Sequence, residues 1–409
     1  MSAPARNART ASVALVTTLA IQVFTSLAAT TPAVLAPALA EEMGISPSWI
    51  GVFVGLVYAG AMFASIGSVG FIERYGAIRV SQACVVLCAG GIALVGVLPA
   101  SAASLLAGAA IVLGIGYGPI TPASSQVLAR TTPPSQLALM FSIKQTGVPA
   151  GAALAGALLP AAALAIGWRA VAVYVGLAGI LIALSAQPTR RALDTDRQPG
   201  RAFSLTVIAD RLRLVAKTPA LAELAALSFA YAAVQVCLTS FLVVYLHDTL
   251  HWSLVAAGLA LTATTVGGVI GRIGWGAMAD RTGAPRRVLT LIGLIAGACG
   301  LALACAMPGW PIVAVLTLAA VFGGTAIGWN GVQLSEIARH APQGNAGAVT
   351  GASGFITFSG VVIGPPLFAA LAAMTTGYRS GFVLCSLVSF GAAALFYWRS
   401  RRTANTANR

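Results

Sequence analysis

Long apolar segments separated by short polar turns run through almost the whole chain. Because the hydrocarbon core of a bilayer is about 30 Å thick, a helix needs roughly 20 apolar residues to cross it. Twelve segments meet this rule, at residues 12–39, 49–71, 80–98, 104–128, 137–163, 169–186, 220–246, 254–278, 286–307, 311–335, 345–371 and 379–397. The pattern predicts an all-α membrane protein with twelve transmembrane helices.

The first segment also has the outline of a secretory signal peptide. Arg6 and Arg9 precede an apolar run that ends in Ala38-Leu39-Ala40, which has the form of a cleavage site. The run from about Ala11 to Ala40 is far longer than the 7–15 residues of a signal's hydrophobic region. We therefore expect this segment to be kept as the first transmembrane helix.

The longest polar stretch, residues 187–219, divides the segments into six and six. The two halves also repeat. With a shift of 207 positions, landmarks of the first half fall on identical residues of the second: Gly51, Gly60, Gly67, Arg74, Gly76 and Arg79 on Gly258, Gly267, Gly274, Arg281, Gly283 and Arg286. Such repeats indicate two pseudo-symmetric parallel bundles with a substrate site near the midplane. We expect six-helix bundles over 1–186 and 220–409, joined by a cytoplasmic loop over 187–219.

Composition supports this class and sets an orientation. The chain is 58% hydrophobic and 8% charged, whereas soluble domains carry about 25% charged residues. Its net charge of +14 would suggest nucleic acid in a soluble protein. Here twenty of the 24 basic residues lie in the tails and the loops on their side, against Arg169 and Arg379 on the other. The positive-inside rule predicts a multi-pass protein of the cytoplasmic membrane with both termini cytoplasmic, and no nucleic-acid partner.

Several classes of chemistry find no support. The six cysteines lie in apolar segments without metal-ligand spacing, and the three histidines form no cluster, so we expect neither a metal nor a cofactor. The ATP-binding pattern Gly-x-x-x-x-Gly-Lys-Ser/Thr is absent. No nucleophile–base constellation or long extramembrane domain indicates a membrane enzyme or a nutrient sensor. We expect a protein that is not an enzyme.

The sharpest local pattern is Gly276-Ala-Met-Ala-Asp280-Arg281-Thr-Gly283, followed by Arg286 and Arg287. Glycine permits a tight reversal of the chain, and the carboxylate can meet a helix N-terminus in the other half. The first half carries a degenerate copy, in which Glu73 and Arg74 stand at the positions of Asp280 and Arg281.

These two copies closely resemble the loop signature of the major facilitator superfamily, and the resemblance covers essentially the whole chain. It implies two six-helix bundles that rock around a central site, with a charged latch that forms in one access state and breaks in the other. The implied gating residues are Asp280, Arg281, Glu73 and Arg74. Glu336 and Arg339 also belong to this set, because the family often has an acid–base pair there. The first half has Gln126 and Arg130 at the comparable site, so we expect only one latch to be complete.

Other family features are missing. Ala110 stands where the fourth helix often carries an arginine, and Gly147-Val-Pro149-Ala-Gly151 departs from the helix-five pattern of drug–proton antiporters. The first departure leaves any mechanism that depends on this arginine unsupported, and the second weakens the drug-efflux interpretation without removing it.

Two cations lie within predicted spans, Lys144 in the fifth segment and Arg272 in the eighth, and no acid lies equally deep. An ionisable residue in the membrane usually faces a water-filled cavity. The simplest partner is an anionic substrate bridged by one cation from each half. The arginine resembles that of oxalate and monocarboxylate transporters in the eighth helix. The monocarboxylate transporters also have an acid four residues before this arginine. Gly268 occupies that position in this chain, which puts a shared proton relay in doubt. The alternative is that both side chains snorkel to the headgroups.

Polar residues on the same helices could complete the pocket. Tyr231 and Gln235 lie on one stripe of the seventh segment, Gln22 lies in the first, and Asn330 interrupts the tenth. Hydrogen bonding between helices is the alternative role.

The sequence thus favours a monomeric secondary transporter, embedded in the lipid bilayer, that moves a small organic anion by alternating access. A proton or a counter-anion could couple to it. The competing hypothesis is transport of an amphiphilic, aromatic or neutral compound.

Overall fold

The computed structural model describes residues 3–44, 49–99, 101, 105–200, 205–375 and 377–407, and every regular element among them is helical. The α-helices of this part of the chain are α1 (Ala3–Val34), α2 (Ala36–Met43), α3 (Trp49–Gly67), α4 (Val69–Tyr75), α5 (Ala77–Val97), α6 (Leu106–Tyr117), α7 (Ile120–Thr131), α8 (Leu137–Gln145), α9 (Gly147–Ile166), α10 (Trp168–Ser185), α11 (Arg190–Leu193), α12 (Leu205–Lys217), α13 (Pro219–Asp248), α14 (Leu254–Thr282), α15 (Pro285–Ala304), α16 (Ile312–Ala326), α17 (Asn330–His340), α18 (Ala346–Met374) and α19 (Tyr378–Ala407).

The predicted spans are confirmed. Within the described residues, eleven helices or merged helix pairs are long and apolar enough to cross a membrane. A twelfth span is formed by 51–67 and 69–75 if this pair, bent by 53° at Ser68, is counted as one. The first predicted segment, 12–39, is broken at Leu35, where α1 gives way to the short helix α2. The side of the membrane on which the tails lie stays a prediction.

The chain forms two compact units that do not follow sequence order throughout. The first comprises residues 1–132, 144–218 and 338–355, and the second comprises 133–143, 219–337 and 356–409. The second unit therefore includes most of α8 from the first half of the sequence, and the first unit includes the start of α18. The division into bundles at 187–219 stays a prediction.

Each unit is built on close glycine contacts that repeat. In the first unit, a Cβ added at Gly114 would lie 2.2 Å from the carbonyl oxygen of Val57, so α3 and α6 touch through their backbones. In the second unit, a Cβ at Gly323 would lie 1.9 Å from the carbonyl oxygen of Thr264, which joins α14 and α16 in the same way. Small residues let membrane helices approach this closely, and each unit contains one helix pair joined in this way.

The middle stretch is more ordered than a polar loop suggests. It contains α11 and the 13-residue helix α12. Leu212, Leu214 and Val215 lie at least partly buried on α12, while Asp210 and Arg213 are exposed. This spacing of apolar positions is that of an amphipathic helix lying against a protein or membrane surface.

Candidate functional site

Lys144 is held inside the first unit at the end of α8, where the helix breaks before α9. Its ammonium group donates to Oε1 of Gln22 at 2.6 Å and to Oε1 of Gln145 at 3.0 Å. The side chain is 1% exposed. A Cβ at Gly147 would lie 2.9 Å from the Gln22 side chain, so the glycine allows α1 to approach the lysine. The structure thus brings together two predicted site residues, Lys144 and Gln22, and adds Gln145.

Arg272 lies beside close backbone contacts between α14 and α16. A Cβ at Gly267 would lie 2.0 Å from the carbonyl oxygen of Ala320, and one at Gly271 the same distance from that of Gly324. The four-residue spacing puts both glycines on one face of α14. Arg272 follows the second glycine directly, which keeps its backbone next to α16.

A break between α16 and α17 supplies the partner of this arginine. Helical hydrogen bonding is interrupted around Ile327–Trp329, and freed backbone groups at membrane depth need another partner. Nε of Arg272 donates to the carbonyl oxygen of Ile327 at 3.0 Å. Arg272 is 2% exposed. Its charge is thus buried within the protein.

Gln235 accepts hydrogen bonds from two residues at the end of the break between α16 and α17. Its Oε1 accepts from Nε1 of Trp329 and from Nδ2 of Asn330, both at 3.2 Å. Nδ2 of Asn330 also lies 3.4 Å from the Ile327 carbonyl that Arg272 binds. Arg272, Gln235 and Asn330 therefore surround one unwound turn.

Tyr231 is oriented differently. Its hydroxyl donates to the carbonyl oxygen of Leu289 on α15 at 2.9 Å, and its ring packs edge-on against Trp329 with centroids 5.8 Å apart. Its substrate contact stays a prediction, and the observed geometry is that of a residue supporting Trp329. Within the described residues, no cluster of histidine, cysteine, aspartate and glutamate could hold a metal ion.

Asp280 caps the start of α8 within the second unit. Its two carboxylate oxygens accept from the backbone N–H groups of Ala138 and Leu139, at 3.1 and 2.8 Å. A carboxylate is favoured there because the first N–H groups of a helix lack helical partners. Ser142 lies one turn further along α8, next to two glycines. A Cβ added at Gly276 would lie 2.4 Å from the Ser142 hydroxyl oxygen, and one added at Gly331 would lie 2.1 Å from it. These glycines allow α8 to seat closely.

The other residues of the second-half signature are spread around this contact. Arg281 is exposed. Arg286 forms an ion pair with Glu223 and lies over the ring of Phe396 at 4.4 Å. Glu336 is 3% exposed near the end of α17, whereas Arg339 is exposed.

The first-half signature is engaged by the middle stretch instead of by a helix start. Oε1 of Glu73 accepts from Nη2 of Arg211 on α12 at 3.1 Å. Arg74 lies over the ring of Tyr75, 5.4 Å from its centroid. The sequence contained no short-range signal for the pairing of Glu73 and Arg211, because these residues are 138 positions apart.

Asp194 fixes the turn of the first-half signature. Its carboxylate accepts from the N–H groups of Ile78 at 2.8 Å and Arg79 at 3.1 Å, which caps α5. Gly76 has a φ of 96°, and a Cβ there would lie 2.3 Å from the Asp194 carboxyl carbon. Burial raises the pKa of Asp194, while the two N–H groups act to lower it. The middle stretch is therefore tied into the first unit.

Arg130 also has an acidic partner, although the first half provides none at the position equivalent to Glu336. Its Nη1 lies 2.5 Å from Oδ1 of Asp196 in the middle stretch. The middle stretch therefore supplies Arg130 with an acid in the folded chain, and the expectation that only one latch is complete stays a prediction.

Comparison with known proteins gives a consistent assignment. A family model described as Major Facilitator Superfamily matches residues 18–365. Uncharacterized MFS-type transporters from two strains of Mycobacterium tuberculosis are each 26% identical to the chain over 285 residues. These matches cover 69% of the chain and 62% of the relatives' length.

Solved structures share the fold at low identity. The human organic anion transporter MFSD10 matches with a TM-score of 0.74 and 17% identity, covering 95% of this chain and 99% of that one. The E. coli fucose:proton symporter matches with a TM-score of 0.70 and 17% identity, covering 93% and 98%. A bacterial homologue of the iron transporter ferroportin gives 0.72 and 17%, covering 94% and 97%.

Proposed function

Since the chain belongs to the Major Facilitator Superfamily, whose members are transporters rather than enzymes, we propose that its substrate is a small organic anion, most simply a carboxylate. The supporting observation is that Lys144 and Arg272 are 1% and 2% exposed inside the spans. Snorkelling requires the charged end of a side chain to reach the headgroups, and this burial favours a role inside the protein instead. The 17% identity to an organic anion transporter shows the fold alone and carries no part of this proposal.

The surroundings of the two cations fit the recognition of a mobile anion. Amide oxygens of Gln22 and Gln145 orient the ammonium group, and a backbone carbonyl orients the guanidinium. These contacts hold the two charged side chains in place. A charge away from water attracts an anion more strongly than one in solvent, because the effective dielectric constant is lower. Gln235 and Asn330 then supply amide groups for the polar part of the substrate.

For the transport cycle, we propose that Asp280 and its contacts with the start of α8 act as the gate. The carboxylate stabilises one access state and is released in the other, as rocking of the family's two halves requires. Arg281, Glu73, Arg74, Glu336 and Arg339 belong to the same charged region by sequence. Asp280→Asn is therefore expected to lower turnover much more than it weakens substrate binding.

The experiment is uptake by proteoliposomes across a panel of carboxylates, aromatic amphiphiles and neutral sugars. We expect saturable uptake of a carboxylate, with Lys144→Ala and Arg272→Ala each raising its KM at least tenfold, because a charge-assisted contact is lost. Arg272→Lys should rescue poorly, since an ammonium cannot grip a carboxylate in two places. Matched controls are Lys217→Ala and Arg213→Ala, which remove exposed charges on α12.

Two results would contradict the proposal. One is uptake of a neutral or amphiphilic compound with no uptake of any carboxylate. The other is a carboxylate transported by both alanine variants with the wild-type KM. Either would make the amphiphilic or neutral substrate the leading hypothesis.

A further inference from the structure

One carboxylate of the middle stretch organises the end of α7. Oδ1 of Asp196 lies 2.5 Å from Nη1 of Arg130, and Oδ2 accepts from Nε2 of Gln126 at 2.7 Å. Gln126 and Arg130 are four residues apart and so share a face of α7. Arg130 also donates to the carbonyl oxygen of Leu193, which holds the middle stretch close to α7.

Gln126 in turn grips the turn that leads into α18, within the first unit. Its Nε2 donates to the carbonyl oxygen of Gly344 at 2.8 Å, and its Oε1 accepts from the N–H of Gly347 at 2.9 Å. We call these two contacts the Gln126 bracket. A carboxylate can only accept hydrogen bonds, so Asp196 requires the NH₂ end of the amide to face it. That orientation directs Oε1 to the N–H of Gly347.

The start of α18 is buried beyond the bracket. Thr350 and Ser353 are 1% and 2% exposed. Gly351 allows a close approach to α3, because a Cβ there would lie 2.7 Å from the carbonyl oxygen of Ser65. Release of the bracket is the step that would expose these two positions.

We infer that Asp196 is a positioning residue for the transport cycle: by orienting Gln126, it fastens the start of α18 to α7 in one access state. The middle stretch thereby supplies the acid that the first half lacks opposite Arg130. The inference rests on the proposed alternating-access cycle and is independent of which substrate is carried. Asp196 contacts no substrate in this account, so its loss alters the equilibrium between access states and leaves binding chemistry intact.

The test is the rate at which a maleimide labels Thr350→Cys in nanodiscs. Cys305 is exposed, and the other five cysteines are buried, so the background is Cys305→Ser. Asp196→Asn should raise the labelling rate about tenfold, the order expected when a hydrogen bond to a charged group is lost. Gln126→Met removes the bracket directly and should raise it similarly. Asp196→Glu should restore much of the protection.

The matched control is Asp194→Asn, two residues away in the same stretch. Asp194 caps α5 without touching Gln126, so its asparagine variant loses one cap contact at α5 and leaves the Gln126 bracket in place. This variant should label at the wild-type rate. Melting temperatures of all variants identify any that fail to fold.

The inference is overturned if Asp196→Asn and Gln126→Met both leave the labelling rate unchanged. It is also overturned if Asp194→Asn raises the rate as much as Asp196→Asn does, since that result indicates general loosening. Failure of the anion proposal has a different signature: no carboxylate is taken up, while the labelling difference between Asp196→Asn and Asp194→Asn persists.

Discussion

Substitution of Asp280 by asparagine is the sharpest test of the proposed gate. Asparagine keeps one acceptor oxygen but loses the charge and the second acceptor, so one of the contacts to Ala138 and Leu139 is lost. A hydrogen bond to a charged group contributes about 1.5–3 kcal/mol, and an anion at a helix N-terminus about 0.3–1 kcal/mol. Since the retained oxygen offsets part of this, we expect a net loss of about 1–2 kcal/mol. That corresponds to a shift of roughly 5–30-fold in the equilibrium between access states.

Hydrogen–deuterium exchange in nanodiscs measures this shift where it occurs. Peptides covering residues 137–143 should exchange about 5–30-fold faster in Asp280→Asn, whereas peptides of α15 should exchange as in the wild type. The control is Asp210→Asn, which removes an exposed carboxylate paired with Arg213 on α12. Wild-type exchange at Ala138 and Leu139 in Asp280→Asn would refute the reasoning. So would normal turnover combined with lost substrate binding.

Three further variants probe packing in the second unit and the proposed outer end of the first. Gly271→Ala should lower the free energy of unfolding by about 1–3 kcal/mol through overpacking, because the added Cβ would lie 2.0 Å from the Gly324 carbonyl oxygen. Gly274→Ala is the matched control. A Cβ there has nothing within 4 Å, so this variant should melt at or slightly above the wild-type temperature. The hydrogen bond from Arg169 lowers the pKa of Glu42 below its usual 4.5. The contact therefore stabilises the fold above pH 4.5, and this stabilisation is lost as the pH falls through the lowered pKa. Glu42→Gln should therefore melt slightly below the wild type at neutral pH, and the difference should shrink as the pH falls below 4.5; a difference that does not change with pH would contradict the role of Glu42.

The span pattern was predictable because the bilayer imposes it. Apolar runs of about 20 residues are required whatever the substrate, and one pair of glycine landmarks, Gly60 and Gly267, marks a close backbone contact in each unit. The bend at Ser68 and the break at Leu35 were not predicted, since both lie inside continuous apolar runs. Hydropathy reports length and composition and is insensitive to such kinks.

Candidate site residues were predictable where an ionisable side chain stands out against apolar neighbours. Lys144 and Arg272 were found in this way, and their burial agrees with a role inside the protein. Asp196 was not found, because a carboxylate in a polar stretch looks like an ordinary solvated residue. Its contact with Gln126 spans 70 positions of sequence and depends on how the middle stretch folds back.

The central claim is that this transporter recognises negative charge, and one competition measurement tests it most directly. Wild-type proteoliposomes take up a radiolabelled carboxylate while the unlabelled carboxylate or its neutral carboxamide analogue is added in excess. The account predicts that the carboxylate competes and that the carboxamide, nearly identical in shape, competes at least tenfold more weakly, because it offers no charge to Lys144 and Arg272. Equal competition by the two compounds would contradict it.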